Sequence, residues 1–148
     1  MIGILGAGAE GSGLAALLAA EPDIDVVRLG DIDNGRLQLA VERIETLGLR
    51  IEHGIVDGTN ADEVARWAEG LRVVFNATAP VCNLPTMRGC LRANAHYLDM
   101  NSGPFEIPGV IPYEQTIDAQ FTLNDEFSAA GLTAISCCGV APGSTRWL

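Results

Sequence analysis

Short apolar runs alternate with amphipathic stretches along this chain, and glycines punctuate the joins. Ile2 to Leu5 is an apolar run that predicts a buried strand. Positions 12–20 are dominated by alanine and leucine, which favours helix, and 25–31 reads as a second strand. Positions 36–48 place Leu37, Val41, Ile44 and Leu47 on one face of an amphipathic helix, with Gly48 just past its end. Positions 50–57 alternate and predict a third strand, closed by Asp57-Gly58. Asn60 or Thr59 caps a helix running to Glu69, with Val64, Ala65, Trp67 and Ala68 as its buried face. Positions 71–76 form a fourth strand whose continuous apolar centre is expected of a sheet covered on both faces. A helix over 84–93 and a fifth strand over 95–99 follow. Three prolines and two glycines make 100–116 a long crossing loop, a feature usually tied to function or mobility. One helix over 117–130, stopped by Gly131, and a sixth strand over 132–138 complete the pattern.

About six strands alternating with helices predict one α/β domain over residues 1–148, a three-layer α/β/α doubly wound parallel sheet. Ligands in such sheets bind beyond the carboxyl ends of the strands. That rule gathers Asp31, Asp57, residues 77–80, residues 99–101 and the Cys138-Gly139 pair on one rim.

The chemistry begins at the first of those strand ends. Gly6, Gly8 and Gly11 stand in G-x-G-x-x-G spacing between a strand and a helix that starts near Ala9. Gly6 allows the sharp turn, Gly8 a close approach of backbone to a pyrophosphate, and Gly11 close packing of helix on strand. The helix N-terminus, with the backbone of Ala9 and Glu10, would hold the phosphates, and the Glu10 side chain is expected to point outward. Asp31, 20 residues after Gly11, ends the next strand where a carboxylate, with Ile32 beside it, would meet the adenosine ribose. These features predict a Rossmann dinucleotide site. A carboxylate at Asp31 favours NAD over NADP, while Arg36 or Arg28 could accommodate a 2′-phosphate. The bland alternative is a glycine turn in another α/β protein, with Asp31 an ordinary strand-end residue.

Composition narrows the field. A net charge of −10 argues against a nucleic-acid partner and an anionic membrane surface. All nine basic residues are arginines, so the chain carries no lysine for Schiff-base or general-base chemistry. Met1 runs directly into the first strand and no long apolar span follows, so neither a secretory signal nor a membrane segment is expected. Cys82, Cys90, Cys137 and Cys138 lack C-x-x-C spacing, which predicts no metal site and reduced thiols in a cytoplasmic protein.

Several stretches in order resemble the saccharopine dehydrogenase-like family, specifically its N-terminal NAD(P)-binding domain. They are the glycine loop at 4–11, Val73-Val-Phe-Asn-Ala-Thr-Ala-Pro80, Asn83-Leu-Pro with Gly89-Cys-Leu91, the His96-Tyr97-x-Asp99 strand, and a G-x-x-P-G turn at 139–143. Ala141 stands in that turn where many relatives carry aspartate. The resemblance implies hydride transfer between nicotinamide and an imine or amine carbon of an amino-acid or polyamine-like substrate. It also implies a second, C-terminal domain that builds most of the substrate pocket. The chain, ending abruptly at Leu148, is expected to be cut from a longer one and inactive alone. Oligomeric state stays open, a homodimer included. The rival reading is a stand-alone nucleotide-sensing regulatory domain, which needs neither the His-Tyr-x-Asp strand nor the Pro-Gly turn.

Asp99 is the candidate catalytic residue, at the rim facing nicotinamide or substrate; alternatively it caps a loop. Tyr97 reads as packing. His96, on the same face as Leu98, reads as a packed, hydrogen-bonded histidine, and His53 as surface. Cys82 reads as a small packing residue near the nicotinamide, since nothing basic lies near it in sequence. Asp57 either contacts the adenine edge or holds a turn. Ala77, Thr78 and Ala79 are small enough to line a cofactor cleft with backbone, and Gly139 flanks the nicotinamide from the other side.

Overall fold

The computed structural model describes residues 1–139; the turn at 139–143, beyond Gly139 itself, and the final 145–148 stretch lie outside the described residues. Strand and helix alternate as expected: β1 (Ile2–Leu5), α1 (Ala9–Leu18), β2 (Val26–Asp31), α2 (Asn34–Glu45), β3 (Arg50–Ile55), α3 (Ala61–Ala68), β4 (Val73–Asn76), α4 (Asn83–Ala93), β5 (His96–Asp99), α5 (Ile117–Phe121), α6 (Asn124–Ala129) and β6 (Ala134–Ile135). All pairings are parallel, in the order β3-β2-β1-β4-β5-β6. The order reverses between β1 and β4, and that point opens the sheet's carboxyl edge to a ligand. No helix among the described residues is long and apolar enough to cross a membrane.

Strand alternation divides the apolar side chains between two cores. Ile4 packs with Ala15, Val27, Leu29, Leu37, Val41 and Ile44 beneath α1 and α2. Its neighbour Leu5 packs with Val64, Trp67, Met87, Tyr97 and Phe127 beneath α3, α4 and α6. Side-chain caps set two of the helix starts: Asp33 accepts from the Arg36 N–H at 3.0 Å, and Asn60 from the N–H groups of Asp62 and Glu63. Asn94 ends α4 in the left-handed conformation.

The structure departs from expectation where local polar bonds win over apolar pattern. The helix expected over 117–130 breaks in two. Thr122 Oγ1 donates to the Ala119 carbonyl at 2.6 Å, and the Leu123 N–H bonds three residues back to Gln120, which tightens the turn and ends α5. The sixth strand is two residues long, because Cys137 turns to φ +61° and gives its N–H to the Asp99 carboxylate. A 3₁₀ turn at Pro80–Cys82 precedes α4. The fourth strand is not fully covered: Val74 and Asn76 are buried, whereas Val73 and Phe75 are half-exposed on the other face.

Leu37 and Leu39 separate core from surface within one helix, at 0% and 57% exposure. Leu37→Ala should cost about 3 kcal/mol through lost burial and a residual cavity. Leu39→Ala should stay within about 0.5 kcal/mol of the parent; urea unfolding of both variants measures the contrast.

Candidate functional site

The turn after β1 is held from both sides by neighbouring strands. The Gly6 N–H donates to the Gly30 carbonyl of β2 at 2.7 Å, and the Ala77 N–H after β4 donates to the Leu5 carbonyl at 2.7 Å. Gly6 takes φ +105°, and a Cβ there would meet the Ala77 carbonyl oxygen at 2.8 Å. A Cβ on Gly11 would lie 1.8 Å from the Gly6 carbonyl oxygen. These two glycines are therefore required by the protein itself. Gly8 differs. It has an ordinary backbone conformation (φ −70°, ψ −168°), and among the described residues a Cβ on it would touch nothing within 4 Å. Its missing side chain leaves open space at the start of α1. Among the described residues no side chain caps that helix, and the first-turn N–H groups of Ala9, Glu10 and Gly11 have no intrahelical partners.

Asp31 ties the neighbouring strand to this turn. It is 5% exposed, its Oδ2 accepts the Ala7 N–H at 2.7 Å, and its Oδ1 accepts the Asp33 N–H at 2.8 Å. Arg36, exposed in the first turn of α2, brings Nη1 to 3.6 Å from Asp31 Oδ2 and Nη2 to 3.8 Å from Asp33 Oδ2. A carboxylate has about four lone-pair positions, so the two backbone bonds leave acceptor capacity on Asp31.

A cleft of about 330 Å³ lies over the switch point, lined by Gly6, Gly8, Asp31, Ile32, Asp57, Ala77, Thr78 and Ala79. The same walls include Arg36, Val56, Gly58, Thr59 and Cys82. Of these additions, Gly58 carries only a turn signal in the sequence and Thr59 only a helix-cap signal, a cap that Asn60 supplies. Asp57 holds the turn that was one of its two expected roles: its Oδ1 accepts from both the N–H (2.8 Å) and the Oγ1 (2.7 Å) of Thr59. These bonds lower the Asp57 pKa, the side-chain bond most. A lowered folded-state pKa contributes stability that is present above the ordinary carboxylate range and lost as pH falls through the lowered value. Burial raises the Cys82 pKa most, the nearby Thr78 side chain opposes it, and the charge of Asp57 adds to the rise. A neutral, half-buried thiol fits the packing role expected of it.

Ala9, Glu10, Gly11, Asp99 and Gly139 fall outside that lining. Glu10 is exposed, as expected, and Gly11 supports the turn from behind. Gly139 packs against Met100: its N–H donates to the Met100 carbonyl at 3.1 Å, and a Cβ would lie 2.5 Å from that oxygen. Asp99 is a correction. It does not face the cleft: it is 1% exposed, and its carboxylate accepts from Tyr97 Oη (2.9 Å), Gln120 Nε2 and the Cys137 N–H (2.8 Å). Three buried donors already satisfy this carboxylate within the domain. Tyr97 is fully buried, and burial with the adjacent Asp99 charge pushes its pKa well above the usual range. His96 Nδ1 accepts the Thr133 N–H at 3.0 Å, the packed role expected for it.

A parallel sheet reversing at β1/β4, an uncapped glycine turn at that point and an acidic strand end bound to the turn define a dinucleotide-binding α/β domain of the Rossmann type. Comparison with known families narrows this class. Residues 2–135 match the saccharopine dehydrogenase NADP binding domain, and the chain belongs to that family; it is an NAD(P)-binding domain. Carboxyaminopropylagmatine dehydrogenase of Synechocystis sp. is 28% identical over 144 residues, covering 96% of this chain and 35% of that protein. Carboxynorspermidine synthase of Vibrio cholerae is 28% identical over 153 residues, covering 95% and 36%. The chain thus spans about a third of the length of the curated relatives it matches. Apo saccharopine dehydrogenase (L-Glu forming) from Saccharomyces cerevisiae superposes with a TM-score of 0.72 at 18% identity, covering 96% of this chain and 28% of that one, a likeness of fold.

Proposed function

We propose that this domain seats NAD(P) with the pyrophosphate on the Gly6–Gly11 turn, as the cofactor half of an oxidoreductase acting on carbon–nitrogen bonds. When bound, the nicotinamide supplies hydride transfer to or from an imine or amine carbon of an amino-acid or polyamine-like substrate. The observation carrying this reading is Gly8. Its neighbours inside the protein do not require a glycine, whereas a phosphate lying against the α1 N-terminus does. Asp31 would accept from the ribose hydroxyls with its remaining lone pairs. Arg36 stands 3.6 Å from that carboxylate and would pair with a 2′-phosphate, so both nucleotides are accommodated. Ala77, Thr78 and Ala79 would line the nicotinamide half of the cleft.

The substrate wall falls to a second domain. Hydride donor and acceptor must be held about 3–3.5 Å apart, and the Asp99 carboxylate is turned towards Tyr97, Gln120 and Cys137, away from the cleft. The names of the two curated relatives support the substrate class and favour the enzymatic reading over a nucleotide sensor.

Gly8→Ala should change stability by no more than about 1 kcal/mol and weaken NADH and NADPH binding at least about tenfold. Gly11→Ala should lower stability by several kcal/mol through the clash with the Gly6 carbonyl. Calorimetric titration with unfolding midpoints checks both; a Gly8→Ala chain binding as tightly as the parent contradicts the reading. Arg36→Ala should weaken NADPH about tenfold more than NADH, and an equal effect on both would remove Arg36 from cofactor choice.

A further inference from the structure

Five buried polar residues on and beside the second half of the sheet are joined into one set. Asn76, Asn83, Tyr97, Asp99 and Gln120 are each 2% exposed or less, on four elements: β4, α4, β5 and α5. Asn83 Nδ2 donates to the Asn101 carbonyl at 2.8 Å, and Asn76 Nδ2 donates to Asn83 Oδ1 at 2.9 Å and to Tyr97 Oη at 3.3 Å. Tyr97 Oη donates to Asp99 Oδ2, which also accepts from Gln120 Nε2. At the cleft end, Asn76 Oδ1 accepts the Thr78 N–H at 3.2 Å and the Thr78 hydroxyl at 2.6 Å. At the far end, Asp99 Oδ1 accepts the N–H of Cys137, held at φ +61°.

This set is costly to bury. Buried polar groups contribute stability only when satisfied together, and among the described residues Gln120 Oε1 is the buried side-chain atom of this set without a partner. Its members do not touch the cleft themselves, yet they grip all three loops at the sheet's second carboxyl edge: Thr78 after β4, Asn101 after β5 and Cys137 after β6. Among the described residues, the loop of these three that lines the cleft is the first. Thr78 is anchored there by its backbone and its side chain at once, both to Asn76.

Resting on the cofactor reading above, we propose that this network sets the shape of the 77–79 loop for the nicotinamide half of the nucleotide, with Asn76 and Tyr97 as positioning residues. The adenosine half is held by a separate set of bonds around Asp31 and the glycine turn, on the other side of the switch point. The two halves of the ligand therefore respond differently to damage in the network. A purely structural role would move stability and affect both halves alike.

The test is calorimetric titration of the 148-residue chain, Asn76→Ala and Tyr97→Phe with NADH and with ADP-ribose, which lacks the nicotinamide. Both variants should bind NADH about tenfold more weakly, the scale of a disrupted buried hydrogen-bond link, and ADP-ribose within about twofold of the parent. Tyr97→Phe keeps the ring and tests the proposal should Asn76→Ala fail to fold. Equal weakening of both ligands, unchanged NADH binding, or a parent chain that binds NADH no more tightly than ADP-ribose would each overturn the proposal. A parent chain that binds neither ligand would overturn the cofactor reading beneath it.

Discussion

The bond from the Ala7 N–H to the Asp31 carboxylate is the constraint on which the site depends. It is buried and 2.7 Å long, and it joins the glycine turn after β1 to the end of β2. A buried hydrogen bond to a charged group contributes about 1.5–3 kcal/mol, enough to decide the shape of a short turn. With Ala7 held, Gly6 must take its positive φ, the chain must reverse, and α1 must begin with its N–H groups at the cleft. The second oxygen accepts from Asp33, whose own side chain caps α2. One carboxylate therefore sets the start of two helices and one wall of the cleft.

The sheet divides into halves with different means of support. Around β1 and β2 the site is shaped by backbone: glycines without room for a Cβ, strand carbonyls taking turn N–H groups, and a single acid. Around β4 and β5 it is shaped by side chains buried one behind another, from Asn76 to Asp99. The half-exposed Val73 and Phe75 lie on the opposite face of β4 from that chain, so the polar network and the less covered surface do not compete for the same space.

The order of strands and helices is legible because β1, β2 and β4 are short, largely apolar runs and glycines or capping residues mark the joins. The glycine turn and Asp31 were legible because their spacing is set by strand and helix length. What Asp31 does was only half visible: ribose recognition follows from its position, but its bond to Ala7 depends on how two strands pair in space. The single helix expected over 117–130 failed because Thr122 and Leu123 fit a helical apolar pattern while their hydrogen bonds end α5. The direction of the Asp99 side chain is hidden for a related reason. A strand-end acid at the carboxyl rim looks catalytic in one dimension, and only the neighbouring Tyr97, Gln120 and Cys137, contributed by separate segments, show that it turns inward. Asn76, Asn83 and Gln120 carry no spacing signal that links them.

The central claim is that the Gly6–Gly11 turn cradles a dinucleotide pyrophosphate. A ¹⁵N–¹H correlation spectrum of the chain recorded against increasing NADH or NADPH tests it most directly. The account predicts saturable shifts greatest at the amides of Gly8, Ala9 and Glu10, with Asp57 and Thr78 following at the edges of the same cleft. Saturable shifts centred elsewhere, with the glycine-turn amides unmoved, would contradict it.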